Sequence, residues 1–114
     1  MDEHTTVGDL MRQVSAFRDA REWLKYDTPR SLAISISVEA AELLEHFQWK
    51  DDAQLREALT DGTKKDEISN ELADVLIYCM GFADVLGIDV SEAITRKLRK
   101  NGEKYPLAAQ EITA

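Results

Sequence analysis

Several things are scarce in this chain of 114 residues, and each scarcity removes a class of protein. There is one cysteine, Cys79, so no intramolecular disulfide can form, and its place in the apolar run Val75-Leu76-Ile77-Tyr78-Cys79-Met80 reads as a core thiol. No apolar run approaches the length needed to span a bilayer. The start, Met1-Asp2-Glu3-His4, lacks the basic and apolar segments of a secretory leader, so the expected location is cytoplasmic with no membrane partner. No useful stretch alternates apolar and polar residues as a strand does, and there is neither an internal repeat nor a low-complexity segment. Basic residues are outnumbered, 14 against 22 acidic, for a net charge of −8. Duplex nucleic acid is therefore not an expected partner, because phosphate binding by counterion release needs basic clusters. Small phosphorylated ligands stay open, since a cation held by carboxylates dominates the local charge.

What is present is helical periodicity. Val7, Leu10, Met11, Val14, Phe17 and Leu24 follow the three-four spacing of an amphipathic helix, with Thr6 and Asp9 as a capping pair, which predicts helix one over about 6–25. Pro29 suits the first turn of a second helix, which Leu32, Ile36, Ala40, Leu43, Leu44 and Phe47 carry to about Trp49. A short helical piece is expected at Gln54–Leu59, and Asp61-Gly62 marks a turn. A third helix runs from about Lys64 to Leu86, ended by Gly87. Asp89 caps a fourth, with Val90, Ala93, Ile94 and Leu98 facing inward, a cationic last turn of Lys97, Arg99 and Lys100, and Gly102 at its end. Tyr105-Pro106 opens an irregular tail. The predicted fold is all-α, a bundle of four to five helices in one domain over 1–114 with its core at about 6–102. More apolar stripe is present than one small bundle can hide, which favours association with a second copy.

The chemistry-bearing pattern is a pair of acidic pairs. Glu39-Ala-Ala-Glu42 in helix two and Glu71-Leu-Ala-Asp74 in helix three each point two carboxylates from one helix face. Both lie beside apolar residues, at the margin of the core, where four like charges repel unless a cation neutralises them. Oxygen donors suit Mg²⁺, with Mn²⁺ as a substitute, and Mg²⁺ leaves positions for water and phosphate oxygens. An acid such as Glu42 or Glu45 is placed to accept the proton of an attacking water. A di-iron site is disfavoured because it needs Glu-x-x-His on two helices, and the two histidines, His4 and His46, do not supply it. The competing reading is two solvated acidic faces on a non-catalytic helical interaction module.

The segments Glu39-Ala-Ala-Glu42-Leu-Leu-Glu45-His-Phe-Gln-Trp49 and Glu71-Leu-Ala-Asp74-Val-Leu-Ile-Tyr78 resemble the MazG-like all-α nucleoside triphosphate pyrophosphatases. Arg21-Glu-Trp23 and Pro29-Arg30-Ser-Leu32 before them, and Lys97, Asn101 and Tyr105-Pro106 after, extend the likeness over roughly 10–107, closest to the dCTP pyrophosphatase branch. The resemblance implies Mg²⁺-dependent hydrolysis between the α- and β-phosphates, in a house-cleaning role, with the metal on Glu39, Glu42, Glu71 and Asp74. It further implies a homodimer or homotetramer with pockets near the subunit interfaces. Trp23 and Trp49 would flank the base, Tyr78 would line the nucleoside pocket, and Lys97 and Asn101 would contact phosphate or sugar, with Arg30 and Tyr105 as further substrate contacts. One position departs from the branch: Val14 stands where it carries a histidine near the base, which leaves the base preference open.

Overall fold

Local capping sets most of the helix boundaries in the computed structural model, which describes residues 1–108. Thr6 opens α1 (Val7–Ala20) with a reciprocal capping box, its hydroxyl accepting from the Asp9 amide while the Asp9 carboxylate accepts from the Thr6 amide, both at 3.0 Å. Thr28 and Ser31 do the same for α2 (Pro29–Glu45), with Pro29 in the first turn, where its missing N–H is not needed. Asp51 caps the short α3 (Asp52–Ala58), Asp61 caps α4 (Gly62–Leu86) and Asp89 caps α5 (Val90–Lys104). There is no strand among the described residues.

Several boundaries differ from the periodicity. The short helix is Asp52–Ala58 rather than Gln54–Leu59, and Gly62 opens α4 rather than sitting in a turn before Lys64, because Asp61 caps the helix there. Helix one stops at Ala20 rather than near residue 25 because Glu22 takes a left-handed conformation, φ 57°. The Trp23 amide then donates to the Arg18 carbonyl at 3.0 Å and the Glu22 amide to the Asp19 carbonyl at 2.9 Å, the Schellman closure that usually uses glycine. Gly87, φ 67°, closes α4 by the same two bonds. Helix two ends at Glu45 rather than Trp49, since the chain tightens into three-residue turns at His46 and Phe47. Gly102 does not end the last helix, which runs through it to Lys104 because Gly102 keeps ordinary helical geometry.

The main packing is α2 against α4, with α1 against α4 beside it. The seam is antiparallel: His46 meets Lys64, Glu39 and Glu42 meet Glu71, and Ser31 and Ser35 share a wall with Tyr78 and Gly81. Among the described residues Leu32 and Ala83 are the buried apolar side chains, and of the two Leu32 is fully enclosed. Leu32 contributes roughly 1.5–3 kcal/mol by its burial. Of the inward face expected of α5, Val90 and Ala93 are half-buried, but Ile94 and Leu98 are not covered in the single chain. This helix barely touches the others, and Ile94 and Leu98 are 54% and 65% exposed. The radius of gyration, 17.9 Å, exceeds the roughly 13 Å of a compact chain of this length. No helix of the described residues is long and apolar enough to cross a membrane.

Candidate metal centre and adjoining cavity

The i, i+3 spacing on α2 and the antiparallel seam together bring Glu39, Glu42 and Glu71 to one place, with one carboxylate oxygen of each within 4.8 Å of the others. All three are half-buried. Oε2 of Glu39 and Oε2 of Glu71 are buried with no hydrogen-bond partner. An orphaned buried acceptor is unfavourable unless something completes it, and a carboxylate is completed best by a cation. The same crowding raises the proton affinity of two of the acids. Burial pushes the Glu39 carboxyl above the usual carboxylate range, and the Glu42 carboxyl beside it, Asp74 and Glu71 add to the effect. Burial also raises Glu71, reinforced by Glu42 and Asp74 and opposed by His46. An all-oxygen set of this kind fits a hard divalent cation.

At the near edge of the cluster, His46 Nδ1 and the Lys64 ammonium nitrogen lie 2.7 Å apart, within hydrogen-bond distance. Lys64, which helical periodicity does not single out, also pairs with Glu67 at 3.7 Å.

Asp74 is exposed and stands outside the three-oxygen group, yet it adds like charge to Glu39 and Glu71 and lines the adjoining cavity. That cavity, about 570 Å³, is walled by α1, the α1–α2 turn, α2 and α4. Its aromatic residues are Phe17, Trp23, Tyr26 and Tyr78. The Schellman closure places Trp23 here, and its ring meets Phe17 edge-to-face with centroids 5.8 Å apart. Tyr78, one turn beyond Asp74 on α4, forms the opposite wall.

Of the residues singled out from sequence, the structure gathers Glu39, Glu42, Glu71, Asp74, Tyr78 and Trp23 around this centre and cavity. Arg30 is exposed in the first turn of α2, and Trp49 is 85% exposed beyond its end. Lys97, Asn101 and Tyr105 belong to α5 and its end, away from the cavity wall of the single chain. Sequence reasoning misses Arg18, which lines the cavity with Asp27 and Gly81. A signal was available: Val7, Met11, Val14 and Arg18 follow four-three-four spacing, so Arg18 occupies the apolar stripe of helix one.

Fold and site define an all-α protein with a carboxylate centre between two antiparallel helices and an aromatic cavity beside it. The sequence profile of the MazG-like family matches residues 34–113, and the chain belongs to that family. It is 32% identical over 102 residues to dCTP pyrophosphatase 1 of Rattus norvegicus, covering 90% of this chain and 60% of that protein. Against dCTP pyrophosphatase 1 of Homo sapiens it is 32% identical over 101 residues, 89% of this chain and 59% of that one. The chain thus spans about three fifths of the length of these relatives. The crystal structure of a pyrophosphatase from Archaeoglobus fulgidus superposes with a TM-score of 0.80 at 48% identity, covering 88% of this chain and 92% of that one.

Proposed function

We propose that this chain is a nucleoside triphosphate pyrophosphohydrolase, dependent on Mg²⁺ with Mn²⁺ as a substitute, that cleaves between the α- and β-phosphates in nucleotide house-cleaning. The observation that carries this reading is the juxtaposition of two incomplete sites: clustered carboxylates with orphaned buried oxygens, and an aromatic cavity reached through Asp74. The names of the relatives point the same way. Glu39, Glu42, Glu71 and Asp74 would hold the cation, which when bound neutralises phosphate charge and lowers the pKa of water.

Hydrolysis adds water across one anhydride bond. Oxygen goes to phosphorus, the bridging P–O bond breaks, and a proton passes to an acceptor, leaving a nucleoside monophosphate and pyrophosphate. The clustered carboxylates are the acceptors at hand. Trp23 and Tyr78 offer ring faces on which a base can stack.

A homodimer or homotetramer is the form we assign to it. Ile34 and Val38 on α2, Leu72 and Leu76 on α4, and Ile94 and Leu98 on α5 are exposed pairs four residues apart, each an apolar stripe left open. A second copy covering them would bring Lys97, Asn101 and Trp49 toward a neighbour's pocket. The same open stripes favour, as a second reading, a helical interaction module without catalysis. Pyrophosphate release from a panel of NTPs and dNTPs, with Mg²⁺ and with chelator, decides between the two. Release that requires the cation supports the enzyme; silence across the panel, together with a melting temperature that neither Mg²⁺ nor nucleotide moves, supports the module.

A further inference from the structure

Arg18 is used by neither the carboxylate centre nor the apolar packing. The residue is 5% exposed, and its Nε donates to Asp27 Oδ2 at 2.9 Å. Its other two nitrogens, Nη1 and Nη2, are buried with no hydrogen-bond partner. N–H groups taken out of water and left unpaired keep their desolvation penalty, so a guanidinium satisfied at one nitrogen of three is held against its own preference. A buried donor left without a partner calls for one, and a ligand's acceptors can supply it.

Its surroundings are built for it. A Cβ at position 81 would stand 2.7 Å from Arg18 Nη1 and 3.0 Å from Cζ, so the bare backbone of Gly81 is what admits the guanidinium against α4. Asp27, held in the turn by the bond from its amide to the Trp23 carbonyl at 3.1 Å, fixes the orientation from the other side. Along α4 the residues Glu71, Asp74, Tyr78 and Gly81 follow three-four-three spacing on one face. Ten residues from Glu71 to Gly81 correspond to about 15 Å of helix. Arg18 therefore lies at the end of the site remote from the carboxylates, beyond Tyr78 and among the aromatic walls, where a nucleotide with its phosphates at the acids would place its base.

We propose that Arg18 is a specificity-determining residue that reads the base through a donor-only fork, Nη1–H and Nη2–H, and so selects a base edge carrying two adjacent acceptors. Guanine offers O6 and N7, and cytosine offers O2 and N3. Arginine has five donors, no acceptor, and does not lose its proton in proteins. Adenine sets its N6 amino donor beside N1 and N7, and thymine or uracil sets N3–H beside each carbonyl, so these bases oppose donor to donor across the fork. The inference rests on reading the site as one for nucleoside triphosphates and adds the base class to it.

The test measures equilibrium binding of α,β-imido analogues of dGTP, dCTP, dATP and dTTP, with Mg²⁺, to the full chain, Arg18→Gln, Arg18→Lys and Gly81→Ala. Thermal melts run in parallel, as does pyrophosphate release from the natural nucleotides. The unaltered protein is expected to bind the guanine or cytosine analogue roughly five- to a hundredfold more tightly than the adenine analogue, and the two arms tell which of the two it is. Arg18→Gln should erase or reverse that preference, because an amide offers one donor and one acceptor, the complement of adenine. Arg18→Lys keeps the charge without the fork and should lose most of it. Gly81→Ala displaces the guanidinium without altering its charge and should do likewise, and it decides the matter if the Arg18 variants melt early. A protein that prefers adenine, shows no preference or binds none of the analogues overturns the proposal. So does an equal weakening of all four in the folded variants, which would make Arg18 a phosphate or structural contact. Base-selective binding without pyrophosphate release would leave the Arg18 assignment standing and remove the hydrolase reading; release without base selectivity would do the reverse.

Discussion

The two ends of the α2–α4 seam have opposite electrostatic problems. At one end three carboxylates converge and two of their oxygens are buried without a partner. At the other a guanidinium is buried with one carboxylate and two idle nitrogens. Neither end helps the other, because about ten residues of helix separate them. Stability alone would have replaced both by apolar residues, which pack as well without a desolvation penalty. A molecule with clustered negative charge at one end and acceptors at the other, carrying its own cation, would relieve both together. Aromatic walls between the two ends suit the ring that such a molecule places there.

The strongest break in this comparison is at the acidic end. Glu71→Gln should lower Mg²⁺-dependent pyrophosphate release by about a hundredfold or more, since losing several kcal/mol of charge stabilisation in the transition state has that effect. The same variant should melt higher than the unaltered protein in chelator, because it relieves like-charge crowding at Glu39 and Glu42. The pH dependence has a defined sign. Glu39 and Glu71 are raised above their ordinary range, so the folded chain binds these protons more tightly than the unfolded one. Their contribution to metal-free stability is fully present below the ordinary glutamate range and is lost as pH rises through the raised folded values. Mg²⁺ competes with those protons, so the stabilisation it brings should grow over the same interval. Urea midpoints between acidic and neutral pH, with and without Mg²⁺, check both slopes; a midpoint in chelator that rises with pH through that interval would contradict the assignment.

At the basic end the break is structural. Asp27→Asn removes the single countercharge of Arg18 and leaves a buried cation, which should lower stability by about 2–3 kcal/mol, less than a fully buried pair because the Asp27 side chain is 21% exposed. A urea titration measures it. A loss no larger than that of a surface substitution would mean that the guanidinium finds other partners, and the contrast between the two ends would fade.

How much of this was legible in the residues follows from the range of each interaction. Start signals act within three residues, so Thr6 with Asp9, Pro29, and Asp89 mark helix starts that the structure places where the pattern does. The i, i+3 carboxylates were legible as pairs because helix periodicity is local, although their convergence depends on the antiparallel register of the seam. Arg18 escaped because a charged residue on an apolar stripe reads as the polar edge of a helix until Gly81, over sixty positions away, is known to face it. Ile94 and Leu98, expected to face inward on α5, went astray for a related reason: the periodicity marks an apolar stripe correctly but does not say whether the covering surface belongs to the same chain.

The smallest predicted effects sharpen the comparison at the helix ends that frame it. Glu22 and Gly87 occupy equivalent left-handed positions in two Schellman closures, one positioning Trp23 over the cavity and the other ending α4. A side chain at positive φ costs about 1–2 kcal/mol, partly offset by the greater freedom glycine brings to the unfolded chain. Glu22→Gly should therefore stabilise by about 0.5–1 kcal/mol, and Gly87→Ala should destabilise by about 1 kcal/mol, read as opposite shifts of the melting temperature of a few degrees each. Nothing lies within 4 Å of a Cβ built at Gly87, so strain in the backbone rather than a clash governs that substitution. If the closure at Glu22 does set the position of Trp23, Glu22→Gly leaves nucleotide affinity unchanged, because glycine keeps the same turn. Glu22→Pro, which forbids positive φ and removes the amide that bonds to the Asp19 carbonyl, should weaken nucleotide binding as well as stability.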